Sequence, residues 1–124
     1  MREGLMLRSD SGASAVEFAL VLVLLAMLLF GIIQYGFTFF EYIQVAHAAR
    51  EGVRWGALGA SDAEIRARAT AAAPGLGPDV TVSVTRNGRE SVSVTITHPV
   101  TMLAPLPAIA IPASVSSTAV QRIE

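Results

Sequence analysis

From Phe18 to Phe40 the chain carries no charged residue, and as far as Ile33 it carries no strongly polar one. Leu, Val, Ala and Met dominate the run, and no proline interrupts the chain before Pro74. A bilayer core of about 30 Å takes about 20 apolar residues at about 1.5 Å per residue, so the pattern predicts one membrane-spanning helix. Tyr35, Phe37, Phe39, Phe40 and Tyr42 gather at its far end, as residues nearing a membrane interface do. A buried core helix is the competing reading, but the remaining chain is too small to cover it. A cleaved secretory signal is another, with "AHA" at Ala46–Ala48 as its site. The apolar run is much longer than the roughly 7–15 residues of such signals, and the tripeptide lies beyond its end.

Past the run, "EYIQVAHAAREGVRWGALG" keeps helical spacing at Tyr42, Val45, Ala49, Val53 and Ala57, with Arg50, Glu51 and Arg54 on a polar face. Glu51 and Arg54 are three apart and able to pair weakly. One continuous helix over Ala13 to Leu58 would be roughly 70 Å long, so its outer half must stand in water or against partners. Gly59 suits the position just past its end. Gly52 and Gly56 form a small-xxx-small pair that permits close helix approach.

The second half changes period. Ser61-Asp62-Ala63-Glu64 is a capping-box pattern that opens a short Ala/Arg helix running to about Ala73, ended by "PGLGP". "DVTVSVT" and "ESVSVTITH" then alternate aliphatic with Ser/Thr, the signature of strands with one buried face. A two-residue turn at Asn87-Gly88 would set the apolar face of one strand beside the polar face of the other. A three-residue loop, Arg86-Asn87-Gly88, avoids that by pairing Val82 with Val92 and Val80 with Val94, with Gly88 as the left-handed residue. After the proline-punctuated "HPVTMLAPLPAIAIPA", Ser114–Arg122 can add a third strand. The expected fold is α+β: a long N-terminal transmembrane helix extended beyond the membrane, then a short helix and a β-hairpin or three-stranded antiparallel sheet resting on that Ala-rich helix. The expected divisions are 1–12, 13–59 and 60–124.

Composition narrows the chemistry. The 124 residues have a net charge of −1 and no cysteine, and all nine basic residues are arginine. Near-neutral charge without a basic cluster argues against nucleic acid as a partner. Absence of cysteine removes disulfides, zinc–thiolate sites and thiol nucleophiles. The two histidines, His47 and His98, lack the spaced partners of a triad or a metal site, so neither a catalytic residue, nor a metal, nor a cofactor is expected. His47 reads as facing solvent or a partner helix, and His98 as a strand end.

The residue that stands out is Glu17, a carboxylate at the mouth of the apolar run. Charged groups at the membrane centre cost about 2.5–3.5 kcal/mol on insertion scales, so Glu17 must lie shallow or find a partner. A carboxylate that merely snorkels to water is the plain alternative. Gly12-Ala13, then Glu17-Phe18 and the apolar run, resembles the processing motif of type IV-like pilins, closest to the Tad/Flp branch. The wider stretch from Gly12 to Gly59, including "AAREG", resembles the TadE family of pseudopilins.

That resemblance implies a function in assembly and no enzymatic turnover. A prepilin peptidase would cut after Gly12, leaving a mature chain that begins at Ala13. Glu17 is then the fifth residue, able to pair with its own terminal ammonium or with a neighbour's, and Phe18 is the aromatic that follows it in the motif. The partners implied are the peptidase, other pilins or pseudopilins, an inner-membrane assembly platform and the lipid bilayer. The implied topology is a single pass through the cytoplasmic (inner) membrane, N-terminus inside and small module outside. Arginines flank both sides of the span, so orientation follows from the resemblance and not from charge. An accessory subunit of a membrane complex, never cleaved, is the rival reading.

Overall fold

The computed structural model describes residues 7–103 and 111–123, with side chains from Ser11 onward. The first half of the expected leader and the centre of the proline-punctuated loop lie outside the described residues. Helix α1 (Leu7–Ala57) is followed by α2 (Asp62–Ala71), a short 3₁₀ turn (Pro74–Leu76), and strands β1 (Thr81–Asn87), β2 (Ser91–Pro99) and β3 (Ser114–Arg122). The single span, the short helix and the three-stranded antiparallel sheet are those the sequence pattern predicts.

At about 1.5 Å per residue, α1 is about 75 Å long. It already includes Leu7, six residues before Ala13, and passes through Gly12 without a break. A single glycine costs a helix only about 1 kcal/mol relative to alanine, so it does not stop one. The membrane-side half is apolar all round, with Phe18, Leu20, Leu24, Leu28 and Ile32 all more than half exposed. Its most apolar window has a mean hydropathy of 2.9 and no buried residue.

From Gln34 onward one stripe of the same helix is covered: Gln34, Glu41, Val45, Ala48, Ala49, Gly52, Val53 and Gly56. The helix stops as its glycine demands. Ala60 N–H donates to Trp55 O (3.1 Å) and Gly59 N–H to Gly56 O (3.1 Å), a Schellman pair with Gly59 at φ +84°. Ser61 then caps α2, its Oγ accepting from Glu64 N–H at 3.3 Å. Ile65 and Ala69, four apart, are the buried face of α2.

The sheet has the order β1-β2-β3, both pairs antiparallel. Val92, Val94 and Ile96 of β2 are fully buried, with Val82 and Val84 of β1 and Val115 of β3 on the same face. The facing of the valine rows is as expected, but the register is not. Val82 pairs with Ile96 and Val84 with Val94, and the loop is Gly88-Arg89-Glu90. The shift is even, so no side chain changes face.

Two local interactions favour the observed register. Gly88, at φ +60°, takes the first central position of the turn closed by Glu90 N–H to Asn87 O (3.2 Å), where a II′ turn needs positive φ. Arg86, expected in the loop, instead ends the inward row of β1 and reaches across to α2. Its Nε donates to Asp62 Oδ1 at 3.0 Å and its Nη2 to Ala60 O at 2.7 Å.

The sheet also rests on more than the Ala-rich helix. Val45, Ala48, Ala49 and Val53 of α1 share one core with Ile65 and Ala69 of α2 and with Val92, Val94, Ile96 and Val115. The short α2 is too narrow to roof three strands, and the outer half of α1 does most of the covering.

Candidate functional site: the N-terminal turns of the long helix and a polar seam

Gly12, Ala13, Glu17 and Phe18 lie on the first turns of α1, exposed. A Cβ built on Gly12 would meet nothing within 4 Å, so its backbone is open to an approaching protein. Ala13 and Glu17 are four residues apart and therefore on one helix face. The span between Glu17 and Glu41 carries no other ionisable side chain except Tyr35.

Gly52 and Gly56 lie within the fold. A Cβ on Gly52 would stand 3.0 Å from Val94 Cγ1 and 3.2 Å from Ala69 Cβ. On Gly56 it would stand 2.9 Å from both γ-methyls of Val92 and 3.2 Å from Ile65 Cδ1. Close approach at this pair brings α2 and β2 of the same chain onto α1. Nearby, Trp55 donates Nε1–H to Glu51 Oε1 (2.9 Å), and Arg68 stacks 4.2 Å from its ring. Arg54 and Glu51 approach to 3.7 Å, an exposed contact of little energy.

Sequence reasoning missed a third group. Gln34 and Glu41, seven apart on the buried stripe of α1, hold the segment after β2. Gln34 Nε2 donates to Thr101 O at 2.8 Å, and its Oε1 accepts from Leu103 N–H at 2.8 Å. The carboxamide thereby takes up a backbone donor and a backbone acceptor that no strand pairs. Glu41 Oε1 accepts from Thr101 N–H (3.4 Å) and lies 3.8 Å from His98 Nε2. His98 stands at the end of β2, as expected, and is its last inward residue, 5% exposed. His47 is exposed, its Nδ1 3.2 Å from Ala72 O at the end of α2.

The seam is polar and incompletely paired. Thr38 Oγ1, Glu41 Oε2 and His98 Nδ1 are buried without a hydrogen-bond partner among the described residues. Each such atom costs about 1–3 kcal/mol. Among the described residues no three potential metal ligands cluster, so the seam offers a pair and not a coordination site. Its chemistry suits holding a loop to a helix. The signal in the sequence was the heptad spacing of Gln34 and Glu41, in phase with Val45 and Ala48.

Fold and site together define an α+β protein whose long apolar N-terminal helix fits a single membrane pass and is also part of the core. Along that helix, residues 12–54, about a third of the chain, match the model of the TadE-like protein family. That match supports a subunit related to Tad pili. No curated protein and no solved structure matches the chain.

Proposed function

We propose that this protein is a pseudopilin, or minor pilin, of a Tad/Flp pilus system, cleaved by a prepilin peptidase after Gly12. The observation that carries the reading is the TadE-like match over residues 12–54, which takes in Gly12, Ala13, Glu17, Phe18 and the whole uncharged span. The family is structural, so the chain acts by assembly. The N-terminus lies in the cytoplasm, α1 crosses the inner membrane once, and the sheet domain stands outside, facing other pilins and the assembly platform.

In the mature chain the new ammonium of Ala13 and the carboxylate of Glu17 share one helix face. An ion pair there, within a chain or between neighbours, offsets the burial of both charges in low dielectric and fixes the register of adjoining helices. Glycine at position 12 lets the peptidase reach the scissile backbone.

N-terminal sequencing of protein extracted from membranes, with and without a co-expressed Tad-type prepilin peptidase, tests the reading. A mature start at Ala13, lost in Gly12→Val, supports it. An uncut chain in the presence of an active peptidase assigns the protein to the rival class, an unprocessed accessory subunit.

A further inference from the structure

Glu17 and Gln34 are 17 residues apart on one unbroken helix, about 25 Å along its axis. A hydrocarbon core is about 30 Å thick, and any tilt shortens the projection further. With the backbone of Glu17 at the inner boundary, the backbone of Gln34 therefore lies at or just inside the outer one. They are not equivalent, because Glu17 is exposed whereas Gln34 is 0% exposed with both ends of its carboxamide hydrogen-bonded. Gln34 is the residue equipped for membrane depth, since polar groups there must be satisfied within the protein.

What satisfies Gln34 is the segment Thr101–Leu103. Thr101 N–H is held by Glu41 and Thr101 O by Gln34, so the segment descends along α1 toward the membrane, and Leu103 N–H meets Gln34 Oε1. Met102 and Leu103 are 46% and 51% exposed at that level. Phe37 and Phe40, half exposed on the adjoining turns of α1, continue the same apolar girdle.

We infer that Met102 and Leu103 are a second membrane contact, seated at the outer-leaflet boundary of the bilayer beside α1. The occupant of this surface is lipid, because it is continuous with the span and lies within the depth the span must cover. The domain thus rests on the membrane and is not held away from it on a stalk. The inference rests on the single-span reading given above.

The chain has no cysteine, so single cysteines report cleanly. Full-length Leu103→Cys, Leu24→Cys and Val120→Cys are labelled with a polarity-sensitive fluorophore and reconstituted into phosphatidylcholine–phosphatidylglycerol vesicles. Leu24 lies in the span, and Val120 is 65% exposed on the outer face of β3. The expected result is quenching of the Leu103 label by lipid-borne nitroxides to within about twofold of Leu24, with several-fold protection from aqueous iodide relative to Val120. Met102→Cys repeats the reading one residue earlier. If Leu103 and Met102 track Val120 while Leu24 is quenched by lipid, the inference falls and the span stands. If Leu24 itself is quenched by iodide, the span reading falls and the inference falls with it.

Discussion

Glu41 and His98 face each other across the junction of α1 and β2, carboxylate Oε1 to imidazole Nε2 at 3.8 Å, with both side chains at least nine-tenths buried. Glu41 comes from the long apolar helix and His98 from the central strand, so the contact ties that helix to the sheet. Removing the imidazole leaves the carboxylate held by Thr101 N–H and opens a void beside it in the buried seam. His98→Ala removes a buried ring and should therefore cost about 2–3 kcal/mol. Glu41→Gln retains an acceptor for Thr101 and should cost about 1 kcal/mol. Trp55, the sole tryptophan, sits between α1 and α2 and reports denaturant unfolding in micelles. Equal losses for the two variants would show that charge at Glu41 does not matter.

Two glycines of α1 separate packing from propensity. Gly56→Ala sets a methyl 2.9 Å from Val92, a fully buried side chain in the middle of the sheet, and should destabilise by about 1–3 kcal/mol. Gly36→Ala meets nothing within 4 Å and should be neutral or stabilising by up to about 1 kcal/mol. Thermal melts of the two proteins side by side decide it. Similar melting temperatures would mean that α1 and β2 are not in close contact at Gly56.

On β2, adjacent residues should respond oppositely to the same change. Val92→Asp places a charge among Gly56, Ile65 and the inner sheet face and should cost several kcal/mol. Ser93→Asp, on the outer face, should stay within about 0.5 kcal/mol. If Ser93→Asp unfolds the domain as readily as Val92→Asp, the inward and outward rows are misassigned.

A fragment of residues 60–124 lacks Val45, Ala48, Ala49 and Val53, and with them the roof over β2 and β3. It should show no cooperative melt by circular dichroism. A fragment beginning at Gln34, kept in detergent, restores that stripe and the seam residues and should regain one. Cooperative unfolding of the shorter fragment would show that α1 is dispensable to the core.

The elements were legible because their periods differ. Twenty-three uncharged positions from Phe18 to Phe40, a Ser61 cap and alternating Val/Ser rows each read locally. Gly59 read correctly as a terminator because only a residue tolerant of positive φ can close a Schellman pair there. The hairpin register was less legible. Loops two residues apart in position keep every valine on the same face, and the choice between them turns on Arg86 finding Asp62 and Ala60, a contact 24 or 26 residues away in sequence. The polar seam was hidden for the same reason. Gln34 looks like an interruption in an apolar run until Thr101 and Leu103, nearly seventy residues later, are folded back onto it.

The continuity of α1 has a mechanical consequence. The same rod whose N-terminal half is long and apolar enough to cross a membrane carries Val45, Ala48, Val53 and Gly56 into the core, with no glycine-rich or proline-bearing joint between apolar half and sheet. Rotation of the apolar half about its own axis swings the sheet through the same angle, and a pull on the sheet is delivered along the rod to the apolar end. The sheet has no swivel. Whatever grips the apolar half of the helix therefore also aims the surface that the sheet presents.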